Sequence, residues 1–188
     1  MKDLITSALM IVVFTISLGL VYPLAVWSVG QVIFPHQANG SLIKNEKGEI
    51  IGSELIGQQF SAAEYFHSRP SGAGIGYDAV ASSGSNLGPT SKKLIERVET
   101  EVDKLNTENS KMAIPADLVT TSASGLDPHI SPAAAEFQIP RVAKQRNISE
   151  PELQQIVQKF TEGRRFGILG EPRVNVLLLN LELDKSEN

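Results

Sequence analysis

The chain begins with an apolar stretch that has no counterpart further along. From Leu4 to Trp27 the residues are almost all Leu, Ile, Val, Ala, Met and Phe, and no formally charged residue lies between Leu4 and Ile43. A helix of about 24 residues rises about 36 Å, which is enough to cross the hydrocarbon core of a bilayer. The pattern therefore predicts one N-terminal transmembrane anchor helix within residues 1–35 and one soluble domain over residues 36–188.

Two further features bear on the fate and direction of this helix. Its apolar core is longer than the roughly 7–15 residues of a signal peptide, so a retained anchor is favoured over a cleaved signal.

The flanking positive charges are nearly balanced, with Lys2 and the amino terminus before the helix and Lys44 and Lys47 after it. Because orientation depends on such an imbalance, charge alone does not orient the anchor. The absence of cysteine fits either side of a membrane.

The region after the anchor starts with a predicted hairpin. Residues 42–56 contain two apolar segments around a polar turn that ends in Gly48, which is typical of two short strands. Residues 57–90 are so rich in Gly, Ser, Asn and Pro that a regular helix is excluded, yet interleaved aromatic residues and Ile75 supply anchors that favour an ordered loop. Residues 94–105 then carry apolar side chains at helical spacing and predict an amphipathic helix.

The last third of the chain mixes loop, helix and strand signals. Residues 117–132 form a second dense loop, which ends at Ser131 and Pro132, a helix cap followed by proline at the first helical position. The helix that follows should break near Pro140. A capping box at 149–152 opens another helix, and the apolar run 174–183 predicts a closing strand. Together these elements predict a small α+β domain.

Composition removes several classes of function. The formal net charge is −4 and the isoelectric point is near 5.4, which argues against a nucleic-acid partner. No GxxxxGK[ST] phosphate loop and no G-x-S-x-G nucleophile elbow occur. Asp127 and His129 offer two ligand types for a metal, but no third is indicated, so no metal site is predicted. Because Ser, Asp and His all occur in the loops, a stand-alone extracytoplasmic hydrolase or ligand-binding module stays open as the alternative function.

The two dense loops and the C-terminal region contain several long motifs. They are Tyr-Phe-His-Ser-Arg-Pro-Ser at 65–71, Tyr-Asp at 77–78, Ser-Gly-Ser-Asn-Leu-Gly-Pro-Thr at 83–90, Asp-Leu-Val-Thr-Thr-Ser-Ala-Ser-Gly-Leu-Asp at 117–127 and Gly-Glu-Pro-Arg-Val-Asn-Val at 170–176. Together these motifs resemble one family, the C subunit of the bacterial Kdp potassium-transporting ATPase. Several long motifs in one order are more specific than any single motif. With the membrane helix, the resemblance covers nearly the whole chain.

The resemblance implies an accessory subunit of an ATP-driven, high-affinity potassium uptake complex in the cytoplasmic (inner) membrane. Its partners would be a channel-like potassium subunit, a P-type subunit that hydrolyses ATP and a small hydrophobic subunit. The family member is described as a catalytic chaperone that raises the affinity of the hydrolysing subunit for ATP. Family topology implies a cytoplasmic N-terminus and a soluble domain outside. No catalytic residues and no directly bound cofactor are then expected in this chain.

A domain outside the membrane cannot touch cytoplasmic ATP, so direct ATP contact by these residues is not expected despite the family description. The simpler role is assembly, with the helix packed on the channel subunit and the domain over the potassium entrance. The predicted partner interface comprises Gly19, Arg69, Tyr77, Asn86 and Asp127. Gly19 lets another helix approach closely, and Arg and Tyr are common interface anchors. The competing interpretation is that Arg69 and Tyr77 only hold their loop together.

Overall fold

The computed structural model describes residues 1–186, and these residues divide into two compact units. The first unit is Met1–Ser53 and the second begins at Glu54. This division reflects which residues contact each other. The predicted boundary at residue 35 instead separates a membrane-spanning segment from a soluble one. That boundary stays a prediction.

The apolar N-terminal stretch is one helical run, as predicted. Helix α1 spans Lys2–Ile16, a π-helical segment follows at Ser17–Val21, and helix α2 spans Tyr22–Ile33. The wider π turn directly precedes Pro23, whose missing N–H and ring disturb a regular α-helix at that point. In the described chain this is the one helix long and apolar enough to cross a membrane, with a mean hydropathy of 2.5 and no buried residues. Its length and composition fit a membrane anchor.

The predicted hairpin is confirmed in the same unit. After a short helix α3 (Pro35–Ala38), strand β1 (Leu42–Lys44) pairs antiparallel with strand β2 (Ile50–Ser53). The turn is held by Asn45, whose side-chain oxygen accepts from the backbone N–H groups of Lys47 and Glu49 at 3.0 and 2.9 Å. Asparagine favours such turns because its short side chain bonds its own backbone.

The second unit is α+β, as predicted. Its sheet contains β3 (His129–Ile130), β5 (Arg173–Asn175) and β4 (Thr161–Glu162) in that spatial order, all antiparallel. Four helices accompany the sheet: α4 (Lys92–Glu108), α5 (Pro132–Arg146), α6 (Glu150–Lys159) and α7 (Val176–Ser186). The capping serines are confirmed, since Ser131 Oγ accepts from Ala134 N and Ser149 Oγ accepts from Glu152 N.

The core of this unit is made of aliphatic and phenyl side chains from the helices and the sheet. The largest fully buried apolar residues are Phe66, Phe137, Ile130, Leu153, Leu179, Leu183, Val142, Val174 and Val176. Phe66 belongs to a loop, so the core anchors that loop as firmly as it anchors the helices.

The predicted break at Pro140 is wrong. Helix α5 continues through this residue from Pro132 to Arg146. Buried side chains lie on both sides of the proline, at Ile139 before it and at Val142 and Ala143 after it. Tertiary packing of these residues outweighs the local cost of one missing helical hydrogen bond.

The predicted closing strand over 174–183 is also wrong beyond Asn175. Helix α7 begins at Val176, and the Asn175 side chain caps it by accepting from Leu178 N at 3.1 Å. Val176, Leu179 and Leu183 are buried at helical spacing. Asn175 looked like an interruption of a strand, but it is the helix cap.

Candidate functional site: two interlocked loops

The two dense loops lie against each other, and residues 57–90 and 117–131 are called the paired loops below. Their first segment is ordered by two buried amide side chains. Asn180 Oδ1 accepts from Phe66 N and its Nδ2 donates to Phe66 O, both at 2.9 Å. Gln138 makes the equivalent pair with the backbone of His67, at 2.7 and 3.1 Å. These side chains satisfy the backbone of the loop as a neighbouring strand would.

The sequence interpretation missed Gln138 and Asn180. Each occurs in an otherwise apolar pattern, and each is about 1% exposed. A polar amide at a position that should face the core is the signal that could have identified them, because buried amides require hydrogen-bonding partners.

Direct hydrogen bonds to backbone carbonyls join the paired loops to each other. Ser71 Oγ donates to Gly125 O at 2.6 Å, Ser82 Oγ donates to Ser124 O at 2.9 Å, and Gly57 N donates to Leu126 O at 2.8 Å. At Gly125 the backbone has φ +68°, and a Cβ would lie 2.5 Å from Ser83 O. Any residue with a Cβ at position 125 would therefore clash with the facing loop, so this close approach of the two loops requires glycine.

Arg69 and Asp127, two of the predicted site residues, are brought together by this approach. The Arg69 guanidinium lies 3.4 Å from the Asp127 carboxylate and also donates to Thr120 O and Thr121 O. Its side chain is only 25% exposed. His129 joins the cluster, with its ring 3.3 Å and its backbone N 3.0 Å from Asp127 Oδ1.

The environment of Asp127 favours its charged form. Burial by itself raises the pKa of this carboxyl, but the hydrogen bonds from the ring and backbone N–H of His129, together with the positive charge of Arg69, outweigh burial and lower the pKa. Asp127 is therefore a carboxylate at neutral pH, and it holds Arg69 and His129 in place.

Tyr77 is the third predicted residue that joins this cluster. Its hydroxyl donates to the carbonyl oxygen of Arg69, and its backbone N donates to Ser71 Oγ at 2.8 Å. Its backbone is left-handed, with φ +55°, and burial raises the pKa of its hydroxyl. Tyr77 thus fixes the fold of the loop around Arg69.

The other two predicted residues lie elsewhere. Asn86 is exposed in the first of the paired loops, where its Nδ2 donates to Ser83 Oγ at 3.3 Å. Gly19 lies in the π-helical segment of the first unit, and a Cβ there would meet only Thr15, at 4.0 Å. Its surface is open enough for a second helix. The assignment of all five residues to a partner interface stays a prediction.

The exposed edge of the paired loops is apolar. Ile75 and Val80 are almost completely exposed, on either side of the half-buried Tyr77. Two clefts flank the cluster, of about 420 and 530 Å³, and Arg69 lines both. The larger is also lined by Asp117, Asp127, His129, Glu171 and Arg173, so its walls carry both signs of charge.

The catalytic arrangements considered from the sequence are not assembled here. In the described chain no group of three or more His, Cys, Asp or Glu residues could hold a metal. The His67 ring lies 3.1 Å from Ala62 O, and burial together with the charge of Arg141 lowers its pKa. Within residues 1–186, neither the His67 ring nor the His129 ring hydrogen-bonds to a serine hydroxyl.

An apolar helix of spanning length and an α+β unit with an ordered, partly apolar loop surface fit a membrane-anchored subunit of a larger assembly. The family model for KdpC, the c chain of K⁺-transporting ATPase, matches residues 4–185. The chain therefore belongs to the KdpC family.

Individual relatives agree over almost the full length. The chain is 57% identical to the potassium-transporting ATPase KdpC subunit of Koribacter versatilis, covering 99% of this chain and 96% of the relative. It is 58% identical to the subunit of the same name from Myxococcus xanthus, over 89% and 80% of the two chains. The Rhodopseudomonas palustris (strain BisB18) subunit is 51% identical over the whole of both chains.

Proposed function

We propose that this chain is a non-catalytic accessory subunit of the Kdp potassium pump, and that its paired loops dock on the channel-like subunit. The observation that carries the proposal is the construction of these loops. Arg69, Tyr77 and Asp127 bond inward and fix the backbone, whereas Ile75 and Val80 project outward with almost nothing covering them. An ordered backbone that presents apolar side chains is the usual form of a protein-binding surface.

The same construction favours assembly over chemistry. A hydrolase needs a nucleophile within hydrogen-bonding reach of a base, and the two imidazoles in the second unit bond to Ala62 O and Asp127 instead. The stand-alone hydrolase therefore has no nucleophile and base pair in its favour. In the proposed complex the other partners are the ATP-hydrolysing P-type subunit and the small hydrophobic subunit.

The proposal includes an indirect route for any effect on ATP. The sequence has no phosphate loop, so in this proposal the subunit does not contact ATP. It raises the affinity of the hydrolysing subunit for ATP by favouring one conformation of the assembled pump. Gly19 belongs to the same proposal, since its open surface allows the anchor to pack against a neighbouring helix.

Replacing Ile75 by serine tests the docking surface. At a hot spot we expect a loss of more than about 2 kcal/mol, roughly thirtyfold in affinity. The subunit should then be depleted from the purified membrane complex, potassium-stimulated ATPase activity should fall, and excess subunit should restore it. The melting temperature of the chain should not change, because the Ile75 side chain is fully exposed among the described residues.

Two further variants complete this test. Arg69→Ala should lower both assembly and melting temperature, because its guanidinium bonds Thr120, Thr121 and Asp127. Ile95→Ser, which changes an exposed isoleucine on α4, should lower neither. Full retention of the Ile75→Ser subunit in the complex would refute docking through the paired loops.

We also propose that the anchor crosses the inner membrane with its N-terminus in the cytoplasm and the α+β unit outside. Because the chain has no cysteine, single cysteines report this topology directly. Lys144→Cys, at an exposed position of α5, should react with a membrane-impermeant thiol reagent in intact spheroplasts. Lys2→Cys should react only after lysis, and the opposite pattern would reverse the topology.

A further inference from the structure

The connection between β4 and β5 carries an apolar tip that the paired loops do not explain. Arg165 and Leu169 form a β-bridge and exchange two backbone hydrogen bonds of 2.9 Å, which closes a hairpin with Phe166, Gly167 and Ile168 at its end. Residues 165–169 are called the hairpin tip below. This hairpin projects its largest side chains into solvent: Phe166 is 92% exposed, Ile168 75% and Leu169 57%.

Phe166 is unfavourable in this chain in two respects. Its φ of +54° lies in the left-handed region, which asparagine and glycine adopt more easily than a phenyl-bearing residue. Its ring also remains in water and so contributes no burial energy to the fold. A residue whose backbone is strained and whose ring is almost completely exposed among the described residues is a candidate for contact with something outside the chain.

The charges around the tip show what it suits. Two ion pairs neutralise the base of the hairpin, Arg164 with Glu171 at 2.7 Å and Arg173 with Glu162 at 2.9 Å. Among the described residues Arg165 has no carboxylate partner, although it is exposed beside Phe166. The tip therefore presents one exposed guanidinium and a phenyl ring with two aliphatic side chains.

We propose that the hairpin tip inserts into the interface of a lipid bilayer, with its apolar side chains at the acyl boundary and Arg165 at anionic headgroups. This combination of Phe, aliphatic and Arg side chains is the one that peripheral membrane segments use. The small apolar surface of the tip also favours lipid over a protein partner. A stable protein interface buries about 800 Å² on each partner, and the three apolar side chains of the tip supply a small fraction of that area.

The covalent structure of the chain ties the second unit to the anchor helix. Residues 34–53 join the helix of spanning length to the second unit. Insertion of a few side chains then needs only modest affinity, since the anchor supplies a high effective concentration. This inference rests on the anchor being in a membrane and does not depend on where the paired loops dock.

A tryptophan placed in the tip tests the contact in the full chain. The natural protein has one tryptophan, Trp27, so Trp27→Phe gives a silent background. Ile168→Trp in that background, reconstituted in vesicles of phosphatidylcholine and phosphatidylglycerol, should show blue-shifted emission that brominated acyl chains quench. Ile75→Trp in the same background is the matched control and should be quenched by aqueous iodide only.

The second variant removes the apolar side chain without disturbing the turn. Phe166→Asn suits a left-handed φ, so the melting temperature should stay the same or rise. The insertion constant reported by the Ile168→Trp fluorophore should fall at least about tenfold, which corresponds to removal of one buried apolar side chain. Vesicles of phosphatidylcholine alone should weaken insertion for the natural Phe166 as well, because Arg165 then lacks an anionic partner.

Three results would each overturn the proposal. In the first, the Ile168→Trp reporter is quenched by iodide and not by brominated lipid. In the second, it is protected only when the other pump subunits are present, which would indicate a protein partner. In the third, its emission depends on protein concentration and not on lipid, which would indicate a second copy of this chain.

Discussion

Replacing Gly125 by alanine is expected to destabilise the α+β unit by about 2–4 kcal/mol. The backbone at this glycine has φ +68°, and an added Cβ would lie 2.5 Å from Ser83 O and 2.6 Å from Ala73 N. Both atoms are backbone, so the clash is relieved only if one of the paired loops moves away. Thermal unfolding of the purified chain in detergent measures the loss. We also expect depletion of the variant from the membrane complex, because the docking surface is part of the displaced loop.

Gly170→Ala is the matched control for this prediction. Gly170 has a similar φ of +79°, but nothing lies within 4 Å of the added Cβ. The control should therefore cost only the left-handed strain of a residue with a side chain, about 1 kcal/mol. Equal losses for the two variants would show that the loops separate easily at Gly125 and that their close approach does not hold the surface together.

The parts of the fold that could be predicted are those with local causes. The hairpin at 42–56 depends on Asn45, whose side chain bonds the turn next to it. Ser131 and Ser149 cap helices through bonds three residues away. Each of these signals is complete within a few residues of sequence, so pattern reading recovers it.

The two wrong predictions have non-local causes. Pro140 remains in a helix because buried residues on both sides pack against the rest of the unit. Asn175 and Asn180 looked like interruptions of a strand, whereas the side chains of both donate to backbone carbonyls more than a hundred residues earlier, at Glu54 and Phe66. An isolated sequence does not show which distant backbone a buried amide will satisfy.

The candidate site was predicted only in part for the same reason. The loops were identified by their composition, and the sequence suggested Arg69, Tyr77 and Asp127 as site residues. Their convergence depends on glycines that allow two backbones to touch, and the sequence does not indicate which glycines meet. The pattern counted Ile75 among the side chains that anchor the loop and did not single out Val80, but both are almost completely exposed, and exposure is visible only in the folded chain.

Replacing Arg141 by methionine is expected to cost about 3–5 kcal/mol, the range for breaking a buried ion pair by removing one partner. Arg141 Nε lies 2.8 Å from Glu108 Oε1, and the two side chains are only 12% and 11% exposed. The same guanidinium donates to Tyr65 O at 2.9 Å and to Gln138 Oε1 at 2.8 Å. Its loss leaves the Glu108 carboxylate without its positive partner and Tyr65 O without its donor, so the contacts that join α4, α5 and the loop at Tyr65 weaken together.

A double-mutant cycle checks that the loss comes from the pair. Arg141→Met combined with Glu108→Met removes both charges and should recover much of the stability, because no unpaired charge then remains buried. Arg164→Met breaks the exposed pair with Glu171 and should cost less than about 1 kcal/mol. Denaturant unfolding of Arg141→Met, Glu108→Met, the double variant and the natural chain gives the coupling energy directly. If Arg141→Met cost no more than Arg164→Met, Arg141 would not be the residue that joins α4, α5 and the first of the paired loops.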